Sequence, residues 1–216
     1  MAAPGPAYVS DLVAPGAARP SKHDSRRDQL AESALMTLGE LGYARTTLRD
    51  IAQNSPFSHG VVHYYFSSKE ELILYCVRYY ERTCVTRYDG VVQRATTAEE
   101  MRSGLIAKVE ETIREEAPLH QLWYDLRNQA MFEPALRDVV LDIDAQLQAM
   151  VWRIVTRYAE LAGQQPLIDS SACYAIFDGL FAQTLLAWAA GPEDRRERAL
   201  EALTGRVDAL LPTLFA

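Results

Sequence analysis

The sequence predicts an all-α protein in which a small N-terminal helix-turn-helix domain is followed by a larger helical body. Three observations carry this. Apolar residues recur at three- and four-residue spacing along most of the chain, helix-capping signatures precede several of these runs, and no stretch alternates as a strand would. With 216 residues and 49% hydrophobic composition, the chain is long enough to bury a core of its own.

Residues 1–20 are rich in Ala, Pro and Gly with almost no charge, and are expected to form a flexible arm. The first helix is predicted from Lys22 onward. Leu30, Ala34, Leu38 and Leu41 form one apolar stripe, and Gly42 supplies the stop. Thr47 stands three residues before Asp50, a capping-box spacing that opens a short helix through Leu48, Ile51 and Ala52. Ser58 caps a second short helix carrying Val61, Val62 and Phe66, with Tyr65 and Phe66 expected in the core. Ser67 and Ser68 stand three residues before Glu70 and Glu71 and open a longer helix through Leu72, Tyr75 and Tyr79. Further starts are read at Thr96-Thr97 ahead of Glu99-Glu100, and at Pro118 and Pro134, where a first-turn proline is tolerated. The stretch from Pro134 to Ala162 ends at Gly163. Two last helices, Asp169–Ala190 and Glu193–Leu211, are separated by Gly191-Pro192. The expected domains are residues 21–72, the small head, and residues 73–216, the larger body.

The charge is unevenly distributed. Residues 19–70 hold seven Lys or Arg against six Asp or Glu, whereas residues 71–216 hold fifteen against twenty-two. An acidic body behind a near-neutral head repels DNA from every face except the one carrying the contacts. No uninterrupted apolar run reaches the roughly 18 residues that span a bilayer, and the opening lacks a secretory signal, so a cytoplasmic protein without membrane attachment is expected. Cys76, Cys84 and Cys173 show no paired spacing and read as small buried hydrophobes. There is no glycine-rich phosphate loop, nucleophile elbow or paired-acid constellation. Neither an enzyme nor a cofactor is therefore expected.

Two short helices joined by a few residues are the signature of a helix-turn-helix whose second helix enters the major groove. Ser58, His59, Gly60, His63 and Tyr64 fall near the start and exposed side of that second helix. They form a polar and aromatic set suited to base edges and phosphates, with Gly60 permitting close backbone approach. Thr47 at the start of the preceding helix and Lys69 at the start of the next complete the candidate DNA contacts. Capping without contact is the competing role of Ser58 and Ser68. His59 and His63 have the four-residue spacing of two zinc ligands, but Gly60 stands where a zinc protease needs its glutamate and no third ligand is near, so DNA contact is preferred over metal.

The segment from Arg26 to Tyr79, with the run GYARTTLRDIAQNSPFSHGVVHYYFSSKEEL, resembles the DNA-binding domain of the TetR family. Gly42-Tyr43, Thr46-Thr47, Ile51-Ala52, Ser58, Gly60, Tyr64, Phe66, Lys69 and Leu72 agree together. The resemblance implies three helices forming a DNA-reading head and a fourth connecting to a regulatory body that dimerises. Two positions depart from the pattern. Ser55-Pro56-Phe57 replaces an Ala-Gly-Val-like turn, which is expected to place Asn54 in the left-handed region, and His63 replaces a tyrosine.

The segment Asp169–Ala190 is apolar nearly all round and needs cover on opposite sides, one from its own body and one from a second copy, with Leu200, Leu203, Val207 and Leu210 of the last helix adding to that interface. A homodimer would set two recognition helices on the half-sites of a palindromic double-stranded operator, about 34–36 Å apart or a multiple of it. Trp123, Tyr124, Arg127 and Phe177 are the candidate contacts for an unidentified small-molecule effector. Met131, Phe132, Met150, Trp152 and Tyr158 offer further apolar surface. An inward-turned Arg127 requires an anionic partner, either a ligand carboxylate or one of Asp125, Asp138 and Asp142. The expected function is a repressor released by its effector; a helical interaction module without operator binding is the alternative.

Overall fold

The computed structural model describes residues 22–216, so the arm expected over residues 1–20 lies outside them. The chain divides into two compact units, Met1–Thr83 and Cys84–Ala216.

The first unit holds α1 (Lys22–Leu41), α2 (Leu48–Gln53), α3 (His59–Tyr65) and α4 (Lys69–Cys84), the last of which runs into the second unit by one residue. The expected stripe on α1 is internal at Leu30, Ala34 and Leu38, and the helix stops at Gly42 in the left-handed region at φ 77°. Phe66, Leu72, Ile73 and Cys76 are all completely buried. Such burial contributes about 1.5–3 kcal/mol for a phenylalanine or leucine side chain. The Arg27 guanidinium lies over the rings of Phe66 and Tyr75 at 4.8 and 4.4 Å and pairs with Glu71 at 3.2 Å, joining α1 to α4.

The second unit contains α5 (Asp89–Arg94), α6 (Ala98–Ala130), α7 (Pro134–Ala162), α8 (Ser170–Ala189) and α9 (Glu193–Leu210), closed by a 3-10 turn over Leu211–Leu214. Among the described residues there is no strand, only an isolated bridge between Pro166 and Phe215 that ties the end of the chain to the α7–α8 connection. Thr97 caps α6, Pro134 opens α7, and Gly163 ends it at φ 67°. Pro118 falls, as expected, in the first turn of a new helical stretch: α6 is broken by a kink at Glu116, whose φ of −127° and ψ of 15° are non-helical, two residues before it.

Helix α8 buries Cys173, Tyr174, Thr184 and Leu185, while Leu186 is 74% exposed and Ile176, Leu180 and Trp188 are half-buried. The last helix departs from expectation, because Leu200, Leu203 and Val207 face the core of their own protomer. By length and composition α8 is also the one helix among the described residues able to cross a bilayer. Against that, Asp178 sits in its middle and is ion-paired to Arg127, a charge pair that is costly inside a membrane. All three cysteines are buried and free.

Candidate nucleic-acid interface and ligand cavity

The capping box at α2 forms as its spacing predicts. The Asp50 amide donates to the Thr47 hydroxyl at 3.2 Å, and the Asp50 carboxylate accepts from the Thr47 amide at 2.8 Å and hydroxyl at 2.6 Å. These bonds, the hydroxyl first, hold the Asp50 carboxyl below its ordinary range. Asn54 is not left-handed as expected: its φ is −93°, and no non-glycine residue among those described has positive φ. The turn is closed instead by Ser55, whose hydroxyl donates to the Ala52 carbonyl and accepts from the Phe57 amide, both at 3.2 Å. A side chain thus does what a glycine backbone would otherwise do, and Pro56 needs no unusual φ.

Ser58 caps α3 by accepting from the Val61 amide at 3.4 Å. Val62 and Phe66 anchor the helix to the core, while Ser58, His59, Gly60, His63 and Tyr64 are all exposed, Tyr64 by 77%. The His59 and His63 rings meet edge to face at 4.4 Å, and among the described residues no group of three His, Cys, Asp or Glu side chains converges to hold a metal. Thr47 is exposed at the start of α2. Lys69 is half-buried: its ammonium donates to the Tyr43 carbonyl at 2.5 Å and lies 4.5 Å from the centre of the Tyr43 ring. Sequence reasoning missed Arg26. It lines an open groove with Gln29, Phe57, Ser58, Gly60 and Tyr64, and its guanidinium lies over the Phe57 ring. Its place on the polar side of the α1 stripe was the available signal.

The second unit encloses a cavity of about 120 Å³. Trp123, Tyr124 and Phe177 line it, with Met150, Tyr174, Asp178 and Phe181. Met131 and Phe132 are instead 68% and 81% exposed at the α6–α7 turn. Trp152 and Tyr158 belong to the packing around the core. Arg127 does not line the cavity, and its partners are none of Asp125, Asp138 and Asp142. Its guanidinium pairs with Asp178 at 2.6 Å and Asp144 at 3.2 Å. Tyr124 donates to Asp178 and Tyr174 to Asp144, both at 2.7 Å, so one network ties α6, α7 and α8 together. Burial, and then the neighbouring carboxylates, push both phenols well above their ordinary range.

A second polar group lies in the same wall. The Arg87 guanidinium donates to Glu116 and, at 2.6 Å, to His120 Nε2. Burial and the adjacent guanidinium keep the His120 imidazole well below its usual pKa, hence neutral. Trp123, 8% exposed, leaves its indole Nε1–H without an acceptor among the described residues. A buried donor in that state costs about 1–3 kcal/mol. Sequence reasoning missed Arg87, His120 and Asp178. Asp178 was detectable as the sole charge between Tyr174 and Trp188.

Comparison with known proteins agrees with this geometry. Residues 30–76 match the family model for bacterial regulatory proteins of the tetR family, and residues 98–212 match that for the C-terminal part of BetI-type transcriptional repressors. The HTH-type transcriptional regulator BetI of Burkholderia lata is 29% identical over 189 residues, spanning 86% of this chain and 94% of that protein. Among solved structures, a TetR transcription regulator from Haloarcula marismortui superposes with a TM-score of 0.70 at 18% identity, covering 89% of this chain and 100% of the other. A transcriptional regulator from Saccharomonospora viridis in complex with choline gives a TM-score of 0.69 at 17% identity, covering 89% and 98%.

Proposed function

The chain belongs to the TetR family of bacterial DNA-binding transcriptional regulators, and from that premise we propose that it acts in the cytoplasm as a homodimeric repressor of a palindromic operator, released by a small cationic effector. The observation that carries the DNA side is the exposed polar face of α3, capped by Ser58 and pinned from behind by Val62 and Phe66. Tyr64, His59 and His63 reach base edges and phosphates, Thr47 and Ser58 serve the backbone beside their caps, and Lys69 supplies a positive charge. Gly60 supports the same reading. It is helical, and a Cβ there would meet nothing of the protein nearer than Ser58 Oγ at 4.0 Å, so the fold itself does not demand glycine. A glycine here leaves room for close approach by an outside surface.

The effector side rests on the cavity. Its lining carries one carboxylate, Asp178, and one guanidinium, Arg87, each ion-paired to a residue outside the lining, Arg127 and Glu116. The aromatic rings of Trp123, Tyr124, Tyr174, Phe177 and Phe181 complete a wall that favours a cation through their π faces. The choline held by the Saccharomonospora viridis regulator belongs to that chemical class. Release requires that the cation bind the operator-bound and free states with different affinity. Helix α4 offers a covalent route, since it ends at Cys84, which lines the cavity.

The test is a titration of the purified protein on the DNA upstream of its own gene. Salt-dependent, palindrome-dependent binding is expected, with affinity falling about 10³- to 10⁵-fold between roughly 50 and 200 mM salt for about 6–10 phosphate contacts. Added choline is expected to lower occupancy. DNA binding indifferent to salt and to sequence would defeat the proposal.

A further inference from the structure

Two neighbouring arginines on α1 are put to opposite uses. Arg27 stacks on Phe66 and Tyr75 and pairs with Glu71, whereas Arg26 is exposed and no carboxylate among the described residues pairs with it. Two contacts orient its guanidinium: the carbon lies 5.4 Å from the centre of the Phe57 ring, and Nη1 donates to the Gln29 side-chain oxygen at 2.7 Å. Phe57 belongs to Ser55-Pro56-Phe57, the turn that replaces an Ala-Gly-Val-like one. A valine there would offer no π face. The ring restricts a long cation in advance, so that less side-chain entropy is lost when the cation meets its target.

The target follows from the groove that Arg26 borders. Arg26 and Gln29 stand on its α1 side, and Ser58, Gly60 and Tyr64, the α3 positions assigned to DNA, stand on the other. At the same end the His23 ring lies 4.9 Å from that of Tyr65, which seats the first turn of α1 against the end of α3. The groove's carboxylate, Glu32, is six residues past Arg26, about 9 Å further along the helix, so an anion is favoured at the Arg26 end. We propose that Arg26 is a further DNA-contacting residue: held on Phe57, it grips a phosphate of the operator beside the bases faced by α3, and Phe57 is the residue that positions it. The inference rests on the reading of α3 as the DNA-contacting helix and adds a contact from α1. A guanidinium on a phosphate contributes affinity and register but reads no base.

The experiment titrates the full chain, Arg26→Ala, Phe57→Leu and the double variant on the DNA upstream of the gene and on an unrelated duplex of equal length, across roughly 50–200 mM salt. Arg26→Ala is expected to lower the slope of log affinity against log salt by about 0.9, so the advantage of the wild type shrinks about 3.5-fold over that range. The loss should be equal on both duplexes. Phe57→Leu should weaken binding about two- to five-fold in the wild type and have no further effect in Arg26→Ala, whereas Phe57→Tyr, which keeps the π face, should bind as the wild type does. An unchanged slope, or a loss confined to the operator, overturns the phosphate contact; a Phe57→Leu effect of the same size in both backgrounds overturns the positioning role. Tyr64→Ala separates this proposal from the reading it rests on. If Tyr64→Ala weakens operator binding and Arg26→Ala does not, the α1 contact fails and the role of α3 stands. A wild type without salt-dependent DNA binding overturns both. Should Phe57→Leu not fold, Phe57→Met takes its place in the same cycle.

Discussion

Tyr64 and Val62 lie two positions apart on α3 and have opposite fates, one 77% exposed and the other fully buried. Replacing Tyr64 with alanine should leave stability within about 0.5 kcal/mol, because the ring packs on little of the core. Operator affinity should fall by about 1–3 kcal/mol, the usual worth of a side chain at a base edge or phosphate. Chemical denaturation and DNA titration of the same preparation separate the two effects, and a variant that binds DNA like the wild type removes Tyr64 from the interface. At this scale the sequence was most legible where chemistry is local. Thr47 with Asp50, and Ser58 with Val61, bond across three residues, so spacing alone found them. Asn54 and Arg127 defeated the same approach for different reasons. The turn closes through the Ser55 hydroxyl rather than through backbone torsion, and Asp178 reaches Arg127 from a helix 51 residues away, which no local pattern reveals.

The helices of both units begin on similar hardware. Thr47–Asp50 opens α2, Ser67 with Glu71 opens α4, and Thr96 with Glu100 opens α6, each with a carboxylate accepting a hydroxyl and an amide. These bonds hold Asp50, Glu71 and Glu100 below their ordinary values of 3.8, 4.5 and 4.5. Because the folded-state values are depressed, the unfolded chain takes up protons first as pH falls. The stabilisation is therefore complete above the ordinary carboxylate values and is lost as pH descends through the folded-state ones. The thermal midpoint should stay level above about pH 5 and drop below about pH 4, and Asp50→Asn should make that drop shallower. A midpoint unchanged by acid, or one whose acid loss is unaffected by Asp50→Asn, contradicts this account. Elements with such caps were readable in advance. Helix α5 was not, since it has six residues and the residue before it, Tyr88, makes no side-chain capping bond. The break in α6 was, because Pro118 sits in the first turn after the kink at Glu116.

For the whole molecule, the deciding surface is α8. An isolated protomer leaves Leu186 74% exposed on a helix with no polar face, an arrangement suited to cover by a second copy. Leu186→Glu should therefore yield a folded monomer with native helicity, whose thermal midpoint no longer rises with protein concentration. Sedimentation equilibrium checks it: a wild type that is already monomeric, or a variant that pairs undiminished, refutes the two-fold assembly. The composition of α8 is the ground for expecting an interface, whereas the inward turn of Leu200, Leu203 and Val207 depends on how α9 settles against α6 and α8. The break in α6 bears on how such an assembly responds to its effector. Proline 118 has no amide hydrogen to give the Arg114 carbonyl, and Glu116 has already left helical torsion angles. A long intact rod resists bending along its whole length, but this one has a compliant joint at a single residue. Were a ligand to displace the cavity wall, that joint is where the angle would change while the stiff segments on either side keep their shape.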